Sequence, residues 1–163
     1  MRRLGFLMTA ALIAIGLSAC GKTETETKEV TEAVEVHETS DAEKAEILAS
    51  LPAPYNTADL VNGKRKYAMC KSCHNLVPDG ANMTGPNLYG VFGRKVGGVE
   101  GFKYSEAMAA AGFTWDTAQM DKWLANPKMM MPGSKMSYAG LDDPKDRTDL
   151  IAYLLIETGG KGH

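Results

Sequence analysis

Cys70-Lys71-Ser72-Cys73-His74 places two thiols two residues apart, with an imidazole directly after them. Three chemistries use a Cys-x-x-Cys spacing. A thioredoxin-like redox pair carries it after a strand, and a zinc site uses it as half of a four-ligand set. No strand-like run leads into Met69, and the chain has no second Cys-x-x-Cys. The third chemistry needs the histidine: attachment of a c-type haem. Each thiol adds across one haem vinyl group, and two intervening residues let one helical turn present both sulfurs to one porphyrin edge. His74 then reaches the iron as a neutral imidazole. The adjacent histidine selects this reading over the other two.

The remaining cysteine belongs to a different problem. Arg2 and Arg3 precede an uncharged apolar run over residues 4–19. That run is shorter than the roughly twenty apolar residues of a spanning helix, and it has the form of a secretory signal peptide. It ends in Leu17-Ser18-Ala19-Cys20, which resembles the lipobox of bacterial lipoproteins, where diacylglycerol is placed on the cysteine after cleavage before it. Ordinary cleavage after Ala19 would put bulky Leu17 where a small residue is wanted. An uncleaved anchor is the third reading. Three cysteines would leave one unpaired as disulfides; lipidation of Cys20 and two thioethers use all of them.

Steps outward from these sites give three segments: a signal over 1–19, an acidic stretch over 20–54 beginning at Cys20, and a domain over 55–163. Residues 21–54 carry nine acidic side chains against Lys22, Lys28 and Lys44, a net charge of −6, and no aromatic residue. Such a composition buries too little apolar surface to offset the entropy of ordering, so a disordered, self-repelling tether is expected. Its reach as a coil is roughly 30–35 Å. Within it, Ser40-Asp41-Ala42-Glu43 offers a cap for a short helix ending at Pro52 and Pro54. His37 reads as a solvated residue. The domain holds thirteen basic and eleven acidic residues, and no basic stripe with interleaved aromatics, so nucleic acid is not an expected partner.

The elements that must position the motif are helical. Thr57-Ala58-Asp59 predicts a helix running to about Met69. Asp116 or Thr117 starts another, with Met120, Trp123 and Leu124 on one face. Asp143-Pro144 opens the last, with Leu150, Ile151 and Leu154 on one face, Tyr153 beside them, and a stop at Gly159-Gly160. Gly/Pro-rich loops connect them and no run alternates as a strand. The expected fold is all-α, wrapped around a buried cofactor. Ten methionines offer a sixth iron ligand. Most are packing material; Met129, Met130 and Met131 are consecutive and point in different directions, whereas Pro132-Gly133-Ser134-Lys135 can form a rigid loop that delivers Met136.

Taken in order, the haem motif, Thr84-Gly85-Pro86-Asn87-Leu88, Gly93-Arg94-Lys95, Trp115, Asn126-Pro127-Lys128, Pro132-Gly133-Ser134-Lys135-Met136 and Asp149-Leu150-Ile151-Ala152-Tyr153-Leu154 resemble class I cytochrome c, of the mitochondrial and alphaproteobacterial type. The resemblance runs from about Gly63 to Gly159, and the signal and tether are similar to those of membrane-anchored bacterial members. It implies the class I cytochrome c fold, with one haem c on Cys70 and Cys73 and axial ligands His74 and Met136. It implies that the Pro86 carbonyl fixes the imidazole, that Arg94, Tyr104, Trp115 and Ser134 hold the haem propionates, and that Gly63 and Tyr67 meet Leu150 and Tyr153 where the first and last helices cross.

The sequence also departs from the family. Trp123 stands in place of a tyrosine near the methionine sulfur, Met108 replaces a polar residue near a propionate, and Ser134 replaces threonine. Met69 and Asp142-Asp143 thin the ring of docking lysines, leaving Lys71, Lys128 and Lys135. A haem enzyme such as a peroxidase needs an open iron and a catalytic acid–base pair; a sixth protein ligand removes the open site, which points to a one-electron carrier. The resemblance implies a monomer on the periplasmic face of the cytoplasmic membrane, held by an N-terminal lipid and shuttling electrons from a quinol–cytochrome c reductase to a terminal oxidase.

Overall fold

The structure is a computed structural model and describes residues 39–160. Cys20, the signal segment, His37 and the acidic stretch before residue 39 lie outside the described residues. Six α-helices follow in order: α1 Asp41–Ser50, α2 Leu60–Tyr67, α3 Glu106–Ala109, α4 Thr117–Ala125, α5 Pro127–Met130 and α6 Pro144–Glu157, with one 3-10 turn at Tyr55–Thr57. Among the described residues the sole β feature is an isolated bridge between Lys95 and Thr114. The all-α expectation holds.

Side-chain caps explain where the helices begin. Asp59 accepts from the Asn62 amide, Asp116 from Gln119, and Asp143 from Lys145 and Asp146, with Pro144 pre-set for the first turn. Helix α2 stops at Tyr67, two residues before the expected end, and the chain continues in tight turns into the cysteine motif. The four-residue helices α3 and α5 were not expected. Each is a single turn capped by Ser105 or Asn126, too short to show an apolar period.

The short helix that the Ser40 cap offers is present, and it packs on the domain. Asp41–Ser50 is helical, capped by Ser40 through the Glu43 amide. Lys44 pairs with Glu157 on α6 at 2.5 Å, and Leu51 is buried in the core. The acidic composition misleads here because the helix needs only one apolar edge: Leu48 and Leu51 supply it by packing on the domain.

The core forms where α2 crosses α6. Leu150, Ile151, Ala152 and Leu155 are wholly inaccessible to solvent. Gly63 makes the crossing possible, because a Cβ there would strike the Asp149 carbonyl oxygen and lie 2.7 Å from the Tyr153 Cβ. A buried carboxylate sits beside this contact. Asp149 accepts from the Asp59 amide at 2.9 Å, Asn62 Nδ2 at 2.7 Å and Lys145 Nζ at 2.6 Å. Burial alone would raise its pKa; the Lys145 ammonium, Asn62 and the amide overcome that and hold it below the ordinary carboxylate value.

Candidate functional site

Helix α2 delivers the motif through two turns. The amides of Cys73 and His74 both donate to the Cys70 carbonyl at 3.0 Å, so the two thiols and the imidazole leave one tight turn together. Tyr67 locks its exit: the phenol donates to the His74 carbonyl at 2.8 Å while its ring packs against Tyr153 of α6, centroids 5.7 Å apart.

The imidazole is fixed by a loop. His74 Nδ1 lies 2.7 Å from the Pro86 carbonyl oxygen, an acceptor that requires the proton on Nδ1 and leaves Nε2 with its lone pair. Burial lowers the His74 pKa, against the opposing pull of that carbonyl, which keeps the ring neutral and able to bind a metal. Gly85 presses on the ring face so closely that a Cβ there would collide with Cε1 and lie 2.6 Å from Nε2. Asn87 builds this loop: its side chain donates to the Val77 and Gly80 carbonyls and accepts from the Tyr89 amide. Sequence reasoning assigned Asn87 no role. Its place directly after Gly85-Pro86, where a turn needs a side chain to satisfy its backbone, was the available signal.

Cys70, Cys73, His74, Pro86, Arg94, Tyr104, Trp115, Ser134 and Met136 all line one cleft. The structure therefore gathers every cofactor-contact residue anticipated from the sequence. The cleft's other walls are largely apolar, with Leu88, Val91, Leu124 and Leu154 among them. Trp115 is buried between Phe113 and Trp123, at centroid distances of 5.5 and 5.7 Å. Met108 and Trp123, two of the departures from the family, both face the cleft.

A half-buried cation lies at one side. The Arg94 guanidinium donates to the Asn87 carbonyl at 2.9 Å and to the Tyr89 carbonyl at 3.0 Å. Burial lowers its pKa, opposed by Tyr104, and burial raises that of Tyr104, in part opposed by Arg94. Two donors thus serve the loop and the rest stay available to an anion in the cleft.

Of the described methionines, Met108, Met120 and Met136 reach the cleft, while Met129 is 79% exposed and Met131 is buried in the core elsewhere. Met136 comes from a loop held by the Ser134 hydroxyl, which accepts from the Met136 amide at 3.2 Å. Lys71 and Lys128 are exposed. Lys135 is exposed as well, and its ammonium donates to the Lys103 and Tyr104 carbonyls at 3.0 and 3.2 Å.

The chemistry of this donor set fits a covalently held haem. It offers two thiols from one turn, a neutral imidazole with a free Nε2, a thioether from the distal half of the chain, a guanidinium for carboxylates and an apolar lining. No group of three or more His, Cys, Asp or Glu side chains that could hold a bare metal ion occurs among the described residues.

Comparison with known proteins agrees. The family model described as cytochrome c matches residues 60–156. Cytochrome c2 of Rhodomicrobium vannielii is 44% identical over 105 residues, which is 64% of this chain and 84% of that protein. Cytochrome c2 iso-2 of Magnetospirillum fulvum is 50% identical over 88 residues, 54% of this chain and 91% of that one. Among solved structures, cytochrome cH from Methylobacterium extorquens superposes with a TM-score of 0.56 at 45% identity, covering 60% of this chain and 97% of its own.

Proposed function

This chain belongs to the cytochrome c family, and on that premise we propose that it is a lipid-anchored electron carrier of a bacterial respiratory chain, working between a quinol–cytochrome c reductase and a terminal oxidase. It carries haem c bound covalently through Cys70 and Cys73, and it is an electron-transfer protein, not an enzyme. The observation that carries the proposal is that His74 and Met136 open onto the same cleft.

Bound there, the haem supplies a one-electron Fe(II)/Fe(III) couple, and His/Met ligation raises its potential. The residues of the chain set the conditions. Pro86 keeps the Nδ1 proton in place and aims Nε2, raising the basicity of the proximal ligand. Met136 would offer the iron a neutral, polarisable sulfur and so leave no open site for substrate. Arg94, Tyr104, Trp115 and Ser134 offer polar tips for the propionates, whose burial without donors would be unfavourable. Exposed Lys71 and Lys128 supply positive charge for docking on acidic partner surfaces.

The periplasmic location and the anchor rest on the sequence around Cys20. Among the described residues no helix is long and apolar enough to cross a membrane. A lipid on Cys20 would confine the carrier to one membrane and raise its effective concentration near partners there.

Redox titration and ligand binding test the reading. The purified holoprotein should titrate as a single one-electron centre, show the weak methionine-to-iron band at the red end of the visible spectrum, and exclude carbon monoxide. Met136→Ala should lose the band and bind carbon monoxide. A wild-type protein that binds carbon monoxide and turns over peroxide would sink the carrier proposal. Labelled fatty acid should enter the wild type and not Cys20→Ser; equal labelling of both refutes the anchor.

A further inference from the structure

We propose that Arg147 is a positioning residue for the distal ligand: its guanidinium holds the rear end of the loop that carries Met136. This rests on the reading of Met136 as that ligand. Among the described residues, no main-chain hydrogen bond to another main-chain group is made by the segment 135–140. The segment is a bridge whose main chain is fixed at its two ends, while Met136 and Tyr138 pack their side chains on the core. In front, Ser134 and Lys135 pin it. Behind, the Leu141 amide donates to the Leu124 carbonyl at 2.8 Å, and Gly140, at φ +115°, passes so close to the Ala125 carbonyl that no Cβ fits.

Arg147 completes the rear pin. Its Nη1 donates to the Leu141 and Asp142 carbonyls, both at 2.8 Å. Its Nε donates to Asp121 Oδ1 of α4 at 2.7 Å, and the side chain is only 11% exposed. One planar group on α6 thereby ties the distal loop to α4, and α4 carries Met120, Trp123 and Leu124 into the cleft. The fixed fork of a guanidinium does this; an ammonium, with its donors on one atom, cannot serve both directions from the same place. A loop free to shift at Leu141 would carry the Met136 sulfur with it, and the thioether is a weak ligand.

The test compares Arg147→Lys, Asp121→Asn and Met136→Ala as holoproteins. Hydrogen bonds from a charged donor are strong enough that losing the fork should raise carbon monoxide binding to the reduced Arg147→Lys protein about tenfold over wild type. The methionine-to-iron band should melt at a lower temperature than the helices seen by far-ultraviolet circular dichroism. Asp121→Asn, which keeps the carbonyl contacts and an Oδ1 acceptor for Nε while removing the charge, should stay near wild type in both readouts. If the band and the helices melt together in Arg147→Lys, or Asp121→Asn loses ligation equally, Arg147 is a general helix staple and the inference falls. Should Arg147→Lys fail to mature, the same two readouts on Arg147→Gln decide it. Met136→Ala keeps the premises apart: a band that survives it refutes the ligand, whereas a band lost there but intact without Arg147 refutes only the positioning role.

Discussion

The Nδ1 atom of His74 sits 2.7 Å from the carbonyl oxygen of Pro86, and Gly85, one residue earlier, lies against the same ring. Orientation and contact come from one loop. Neither could be moved without the other, so the tripeptide around Pro86 sets the proximal side of the site.

Gly85→Ala should therefore damage haem loading. The new methyl would meet Cε1 and Nε2 of His74, and the loop cannot retreat while Pro86 remains bonded to Nδ1. A loss of about 1–3 kcal/mol is expected from overpacking. The ratio of Soret absorbance to total protein measures it; a fully loaded variant with unchanged thermal stability would contradict the argument.

Gly63→Ala sets propensity against packing. Alanine favours a helix interior by about 1 kcal/mol over glycine. Here the Cβ would meet the Asp149 carbonyl and the Tyr153 Cβ, and main chain cannot rotate away. Overpacking at about 1–3 kcal/mol wins, so the midpoint of denaturant unfolding should fall. A variant more stable than wild type would show that α2 and α6 can separate freely.

Two ranges of pH should weaken the fold at the same helix crossing. Burial, with the neighbouring Tyr153, pushes Tyr67 from 10.0 up to about 12, and burial, then Glu157, does the same to Tyr153. Groups raised on folding contribute fully below their unfolded value, so this contribution is lost as pH climbs from 10.0 through about 12. Asp149 is depressed, so its contribution is present above the ordinary carboxylate value and lost as pH falls through the lower folded one. Unfolding free energies measured across pH should fall at both ends; Tyr67→Phe should flatten the alkaline limb, and an unchanged limb would contradict the assignment.

Lys135 and Lys71 should separate on substitution. Lys135 spans from the Met136 loop to the Lys103 and Tyr104 carbonyls, so Lys135→Met should destabilise the methionine-to-iron band as well as weaken the salt dependence of partner reduction. Lys71→Met should weaken the salt dependence and leave the band intact, since an exposed charge acts on association. A band equally stable in the two variants would show that the Lys135 contacts do not hold the loop.

What the sequence determined by itself was what acts over a few residues. The spacing of Cys70, Cys73 and His74 is one turn of chain, and Asp116 and Asp143 cap helices through amides two or three positions away. The apolar face of α6 was legible because Leu150, Ile151 and Leu154 repeat at helical spacing. Tertiary structure decided the rest. It seated Asp41–Ser50 on α6 through Lys44 and Leu51, and it brought the exposed Lys135 ammonium to the Lys103 and Tyr104 carbonyls. These outcomes share a physical reason: each depends on long, flexible side chains or a single apolar edge meeting partners far off in sequence. Arg147 reads in the chain as one more surface charge, and only the meeting of α4, α6 and the distal loop gives its guanidinium three acceptors at once.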